Sequence, residues 1–103
     1  MKMECYELQG CQITPVDQFN GAVVLLGDEV DTYFVSTIFL GYDASGGVAE
    51  EPLVFETKIY DENSSTLHCR RCSTYVDAMF QHETAQALCL SGKGWENTGV
   101  KKL

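Results

Sequence analysis

Basic residues are scarce in this sequence, and several features that would assign it to a functional class are missing. Seven lysines and arginines stand against fifteen aspartates and glutamates, giving a formal net charge of −8. No stretch approaches the roughly 20 apolar residues that a membrane-spanning helix needs. Neither the glycine-rich P-loop pattern nor the dinucleotide-binding pattern occurs. We therefore expect no membrane span, no nucleotide-binding loop and no cofactor.

The 103 residues are expected to form a single domain over 1–103. Residues 1–7 contain no apolar segment of the kind that a secretory signal has, so the expected location is the cytoplasm. Five cysteines in a cytoplasmic chain are most simply reduced thiols, some of them buried.

Negative charge is concentrated in the first two thirds of the chain. Residues 1–69 carry twelve acidic residues against Lys2 and Lys58, whereas residues 70–103 carry five basic and three acidic residues. An acidic segment of this kind repels the phosphate backbone of nucleic acids. It suits a basic protein surface instead. The competing interpretation is solubility alone, because net charges of about 2–8 are usual in small soluble domains.

Two runs rich in β-branched and aromatic residues, 33–40 and 53–60, flank a glycine-rich loop. They predict two neighbouring antiparallel strands at the centre of a sheet. The second run alternates apolar and polar side chains, which indicates one buried face. The first run is apolar on both sides, which predicts a central strand covered on both faces.

Shorter patterns predict the elements around this pair. Residues 22–26 favour a strand ended by a turn at 27–29, and residues 66–71 favour a third, more polar strand. Residues 14–19 start with a threonine, a proline and an aspartate in N-terminal helix positions, which predicts one or two helical turns. Residues 1–12 give only a weak edge-strand pattern.

A helix is expected from Tyr75 to about residue 90. Thr74 is a good N-cap, and Asp77 suits the positive end of the helix dipole. Gly92 is the expected C′ residue, with Trp95 beyond it packed onto the domain. The predicted buried side includes His82 and Leu90. The expected fold is α+β, with a small antiparallel sheet of three to five strands covered by one C-terminal helix at about 75–90.

Two groups of acidic residues are the predicted partner-binding residues. Long loops on rigid strands are common places for binding function, and residues 41–52 form such a loop. Strand order decides whether the two groups share an end of the sheet, and the sequence leaves it open. The first group lies in this loop and the second near the turn before the central strand: Asp43, Glu50 and Glu51; Asp28, Glu29 and Asp31.

Cysteines 69 and 72 form a CxxC pair that, with Cys5 and Cys11, offers four zinc ligands, and His68 is a further candidate. The five-residue gap between Cys5 and Cys11 exceeds the spacing of two to four that such sites typically use. A redox CxxC usually opens a helix after a strand, whereas this one precedes the helix. We expect no bound metal.

His82 and Glu83 invite a catalytic interpretation, because histidine titrates near neutrality and a carboxylate can orient it. Adjacent helical residues do not face each other, however, and a lone histidine on an apolar helix face is more often a satisfied core group. Its expected partners are Glu56, Thr57 or Ser36 across the sheet. The alternative is a pocket that combines His82 and Glu83 with Glu56 and Thr57.

Three blocks of the sequence resemble a family of small proteins carried by bacteriophages and prophage-bearing bacteria. The blocks are VSTIFLGYD at residues 35–43, PLVFET at 52–57, and CSTYVDA at 72–78 followed by HE at 82–83. The family pattern reads V-S-T-x-[FW]-L-G-x-D, P-L-x-F-E-T and Y-S-T-x-x-[ED]-A-x-x-x-H-E. Cys72 replaces the aromatic residue of the third block, and Ala44 stands where a histidine is common. The resemblance indicates kinship over about residues 33–86 and assigns no catalytic activity.

Two functional hypotheses follow. The first is a binding protein without chemistry, whose acidic strands and loop contact a basic surface; the phage resemblance implies an inhibitor of a host nucleic-acid-handling or defence (CRISPR-like) complex in the host cytoplasm. The second is a small ligand-binding domain or enzyme built on His82, Glu56 and Asp43. Convergence of these three side chains in one open cleft would favour the second.

Overall fold

The computed structural model describes residues 3–91, which form six strands and one helix. The strands are β1 (Cys5–Gln9), β2 (Gln12–Val16), β3 (Val23–Val30), β4 (Tyr33–Phe39), β5 (Phe55–Tyr60) and β6 (Thr66–Cys72), and the helix is α1 (Tyr75–Ser91). The predicted α+β fold is confirmed: a two-stranded and a four-stranded antiparallel sheet pack against the single C-terminal helix. No helix among these residues is both long and apolar enough to cross a membrane.

The main sheet has the strand order β3-β4-β5-β6, and each strand pairs antiparallel with the next. The two apolar runs of the sequence are therefore the two central strands. Opposite residues of paired strands share a face, so the odd-numbered residues of β4, from Tyr33 to Phe39, lie on the side that α1 covers. Thr37 and Thr57 lie directly opposite each other on this side.

Residues 14–19 do not form helical turns, and that prediction is wrong. Pro15 lies in β2 and pairs with Tyr6 of β1. A proline fits a strand whose N–H side is not needed for pairing, as at the edge of a two-stranded sheet. Leu8 and Ile13 of this hairpin pack against the buried cluster around Phe39. Pairing with β1 and the packing of Ile13 against the core outweighed the N-terminal helix signals.

Strand β3 is longer than predicted, because residues 27–29 continue the strand instead of turning. Val30 pairs with Tyr33, so the turn consists of Asp31 and Thr32. Asp31 adopts a φ of 57°, a left-handed conformation that aspartate tolerates better than most residues. Gly27 leaves room for the ring of Phe34, since a Cβ there would lie 3.0 Å from Cζ and the ring would have to shift by a few tenths of an ångström.

Helix α1 covers only one face of the sheet, so the prediction that β4 is covered on both faces is wrong. One cluster joins Phe39, Phe55 and Cys72 to the N-terminal half of the helix, and a second joins Val35 and Ile59 to the C-terminal half. The opposite face, called here the open face, leaves Phe34 exposed.

The bounds of α1 agree with the predicted helix, and Thr74 caps it as expected, since its Oγ1 accepts the N–H of Asp77 at 3.1 Å. Leu90, however, is 76% exposed and does not belong to the buried side. The predictions for Gly92 and Trp95 lie outside the described residues.

Candidate functional site

A chain of hydrogen bonds connects the centre of the sheet to its β3 edge through His82. Nδ1 of His82 lies 2.7 Å from Oγ1 of Thr37, which in turn lies 2.7 Å from Oγ1 of Thr57. Nε2 of His82 lies 2.7 Å from Oδ2 of Asp28. His82 is 2% exposed and Thr37 is fully buried, whereas the Asp28 side chain is about half exposed.

Which groups can donate and which can accept determines the direction of each hydrogen bond in this series when His82 is neutral. A carboxylate only accepts, so Nε2 of His82 carries the hydrogen and donates to Asp28. In the neutral imidazole Nδ1 is then an acceptor, and the hydroxyl of Thr37 donates to it. The hydroxyl of Thr57 donates to Thr37. Every member is satisfied, which is the arrangement that a buried polar group requires.

The partners of His82 differ from those that the sequence predicted. Ser36 and Glu56 belong to the open face and cannot reach it, because side chains of neighbouring strand residues alternate between faces. Thr57 contacts His82 only indirectly, through its hydrogen bond to Thr37. Asp28 was missed because residues 27–29 were assigned to a turn. Its alternation with Leu26 and Val30 along β3 is the signal that places it on the helix side.

Glu56 lies on the open face and is buried beneath two basic side chains. Its Oε2 accepts from Nε of Arg71 at 2.9 Å, and its Oε1 lies 3.6 Å from Nζ of Lys58. The thiol of Cys69 also points to Oε2, at 3.7 Å. Burial disfavours charge on Arg71, but the bond and charge of Glu56 outweigh it and raise the pKa of the guanidinium. Glu56 therefore organises the open face.

Asp43 is 7% exposed and holds its own loop together. Its Oδ1 accepts from the backbone N–H groups of Ser45 and Leu53 and from the hydroxyl of Ser45, and its Oδ2 accepts from the N–H of Gly47. Burial acts to raise the pKa of Asp43, but these hydrogen bonds to the ionised form outweigh it and lower the pKa below its ordinary value. Asp43 is not available to a partner.

The pocket that the sequence suggested as an alternative is not assembled. The His82 side chain lies between α1 and the sheet, Glu56 lies on the open face, and Asp43 lies within the loop that follows β4. Glu83, the neighbour of His82 on α1, is exposed. Thr57 alone shares the side of His82, and it is 1% exposed. These side chains do not form one open cleft.

The predicted acidic groups lie at opposite ends of β4. Asp28, Glu29 and Asp31 surround the turn before the strand, whereas Glu50 and Glu51 lie in the loop after it. A strand of this length separates its two ends by about 20 Å. Tyr60 pairs with Phe34, so the β5–β6 turn lies at the first of these ends and adds exposed Glu62. We call Asp28, Glu29, Asp31 and Glu62 the acidic end.

The cysteines are spread through the fold. Cys69 and Cys72 lie on opposite faces of β6, because they are three residues apart in a strand. Burial raises the pKa of the Cys72 thiol to about 11. Cys11 is exposed in the β1–β2 turn, and Cys5 is buried. Within residues 3–91 no three histidine, cysteine or carboxylate side chains lie close enough to hold a metal ion.

A groove of about 350 Å³ between β6 and α1 was not predicted from the sequence. His68 and Arg70 form its strand side, and Phe80 and Leu88 its helix side. Burial and the charge of Arg70 both lower the pKa of His68. The groove has a mixed lining that selects no particular ligand chemistry.

Comparisons with protein-family models, with curated proteins and with solved structures find no match for this chain. The resemblance of its three sequence blocks to phage proteins stays a prediction. Function is therefore inferred from the geometry and charge of the described residues.

Proposed function

We propose that this protein acts by binding, and that its acidic end contacts a basic surface of a partner protein. The observation that carries the proposal is that no lysine or arginine among the described residues pairs with the carboxylates there, where Asp28 has only the imidazole of His82 as a partner. Residues 3–91 contain fourteen acidic and three basic residues. Two of the three basic residues, Lys58 and Arg71, pair with Glu56 on the open face.

The third basic residue, Arg70, lies on the groove side of β6, away from the β3–β4 turn. Glu29, Asp31 and Glu62 are exposed, and Asp28 is about half exposed. Like charges held at one end of a sheet repel one another, and a basic surface would relieve this repulsion. Exposed carboxylates that no lysine or arginine of residues 3–91 pairs with support fast, electrostatically steered association.

The opposite end of the sheet is a weaker candidate. Asp43 is committed to its loop, which leaves Glu50 and Glu51 as the exposed acids of the predicted loop group. These two are separated from the acidic end by the length of β4, so they belong to a separate charged region of the surface.

The kind of partner follows from charge and from the family resemblance together. Proteins that hold nucleic acid do so through lysine- and arginine-rich surfaces. An acidic protein that occupies such a surface competes with the nucleic acid. The resemblance to phage proteins points to a host nucleic-acid-handling or defence complex, of the CRISPR type, as the target in the host cytoplasm.

Binding is preferred to catalysis because the candidate catalytic groups are dispersed and buried. His82 is the residue best suited to acid–base work, but both ring nitrogens are occupied by Thr37 and Asp28. The hydroxyl beside it belongs to Thr37, which no substrate can reach without opening the core.

Affinity capture from a bacterial lysate identifies candidate partners, and the dependence of the purified pair on salt tests the proposal. We expect the association rate to fall by about tenfold or more between about 50 and about 300 mM salt, because screening removes the steering. An association rate that is indifferent to salt would contradict a charge-driven contact.

A further inference from the structure

We propose that the outer edge of β3 accepts an added strand from the partner, and that this strand carries basic residues followed by apolar ones. The inference rests on the proposed function and specifies how the partner is held. In strand addition, backbone hydrogen bonds supply affinity, and side-chain pockets on alternate positions supply specificity.

Strand β3 forms one edge of the main sheet and is its longest strand, with eight residues. Within residues 3–91 no strand pairs with its outer side. Val23 and Val24 are 49% and 70% exposed, and Leu26 is also exposed. Proteins protect such edges with charged side chains, especially lysines, and with prolines, bulges or covering elements. Residues 23–30 contain no lysine, arginine or proline.

The other edge strand, β6, is protected differently. Arg70 and Arg71 are exposed on it, and charged side chains of this kind discourage pairing. Helix α1 also forms the groove wall on one side of β6. The edge of β3 has no such basic side chains. Its own protections are a bulge at Leu25 and the carboxylates of Asp28 and Glu29, which repel an acidic strand but suit a basic one.

A bulge at Leu25 divides β3, and the regular ladder runs from Leu26 to Val30. Leu26 and Asp28 lie on the helix side, and Glu29 lies on the open face opposite Phe34. The ring of Phe34 lies over Gly27, which has no side chain, so the ring extends towards the outer edge of β3. Both faces of the edge are thus apolar near Leu26 and acidic near Glu29.

This order sets the chemistry of the added strand. Antiparallel pairing is slightly more stable per residue than parallel pairing. In that orientation the first residues of the added strand lie beside Asp28 and Glu29, and the later residues lie beside Leu26 and Phe34. Basic residues therefore come first and apolar residues second.

Hydrogen bonding fixes Asp28 at this edge. Nε2 of His82 lies 2.7 Å from Oδ2 of Asp28 on the helix side, while about half of the Asp28 side chain stays exposed. An incoming lysine finds a carboxylate that is already positioned, so less side-chain freedom is lost on binding. A second copy of the chain is the less suitable occupant, because two chains of net charge −8 repel each other.

The probe for this proposal is the peptide acetyl-TKKVTVT-amide, compared with the same peptide N-methylated at alternate residues on its pairing side. We expect the parent peptide to bind the full chain and to slow hydrogen exchange of β3 amides. N-methylation should weaken binding by about tenfold or more, because it removes two or three backbone hydrogen bonds and leaves the charge unchanged.

Val24→Lys and Val76→Lys form a matched pair of variants. Both valines are about equally exposed, at 70% on β3 and 74% on α1, and both changes add the same charge. We expect Val24→Lys to weaken peptide binding by about tenfold or more, because a lysine on an edge strand discourages pairing with an added strand. Val76→Lys should have little effect. Circular dichroism and the unfolding midpoint verify that both variants remain folded.

Four results would overturn the proposal. Equal binding of the parent and N-methylated peptides would show that charge alone attracts the peptide, which leaves the proposed function standing without strand addition. Absence of binding by the parent peptide, or protection confined to β6, would place the contact elsewhere. A dimer that Val24→Lys dissociates would make a second copy the occupant.

Discussion

Replacing His82 with alanine should cause a large loss of stability, because the imidazole joins α1 to two strands. The change removes one bond to the buried Thr37 and one to the carboxylate of Asp28. A neutral hydrogen bond contributes about 1 kcal/mol and one to a charged group about 1.5–3 kcal/mol. The lower end of that range applies to Asp28, whose side chain is about half exposed.

The lost ring volume adds to this cost. His82 is 2% exposed, so alanine leaves a cavity under the helix, and deleted buried side chains typically cost a few kcal/mol. Thr37 keeps Thr57 as a partner, which limits the penalty for an unpaired hydroxyl. The two bonds sum to about 2.5 kcal/mol and the cavity adds about 2 kcal/mol or more, so the free energy of unfolding should fall by about 4–5 kcal/mol or more. In a domain of this size that corresponds to a melting temperature lower by about 16 °C or more.

Urea unfolding followed by circular dichroism measures the difference, and Glu83→Ala is the matched control. Glu83 is the next residue of the same helix and is exposed, so its replacement should change the free energy by no more than about 0.5 kcal/mol. If His82→Ala unfolds at the same urea concentration as Glu83→Ala, then His82 does not hold the core. That result would refute the hydrogen-bond chain and return His82 to the functional candidates.

Two further predictions concern the thiols and the loop. Burial raises the pKa values of Cys72 and Cys89 to about 11. At about pH 8 iodoacetamide should therefore modify exposed Cys11 rapidly and these two cysteines only after unfolding, which peptide mass mapping would detect. Modification of Cys72 at the rate of Cys11 would contradict its burial. The pKa of Asp43 is lowered in the folded state, so its stabilising effect is present above the ordinary value of 3.8 and is lost as pH falls below it. Unfolding midpoints at about pH 5 and about pH 3 should therefore differ less for Asp43→Asn than for the native chain, whereas an equal pH dependence would show that Asp43 is not the group responsible.

Local patterns with one dominant signal were predicted correctly from the sequence. The helix was recognisable because the Thr74 cap and the apolar spacing agree, and both central strands were recognisable from their β-branched and aromatic content. Pro15 and Gly27 were misread for a shared reason. Each residue usually interrupts a regular element, yet tertiary context allows each in a strand, at an edge in one case and under an aromatic ring in the other.

The candidate site was less predictable, because it depends on which strand pairs with which. That His82 would be a satisfied core group followed from its position on the apolar helix face, but Asp28 became a possible partner only once β3 lay beside β4. Asp43 and Glu50 look alike in the sequence as acids of one loop. Only the folded loop distinguishes the carboxylate that accepts four hydrogen bonds from the one that faces water.

Charge reversal at the two ends of the sheet tests the central claim most directly. Glu29→Lys with Glu62→Lys changes the acidic end, and Glu50→Lys with Glu51→Lys changes the opposite end by the same net charge. All four side chains are exposed, so both double variants should fold. Surface plasmon resonance against the captured partner at about 50 mM salt should show an association rate lowered by about tenfold or more for the first variant and by much less for the second. Equal losses, or a greater loss at Glu50 and Glu51, would contradict binding through the acidic end.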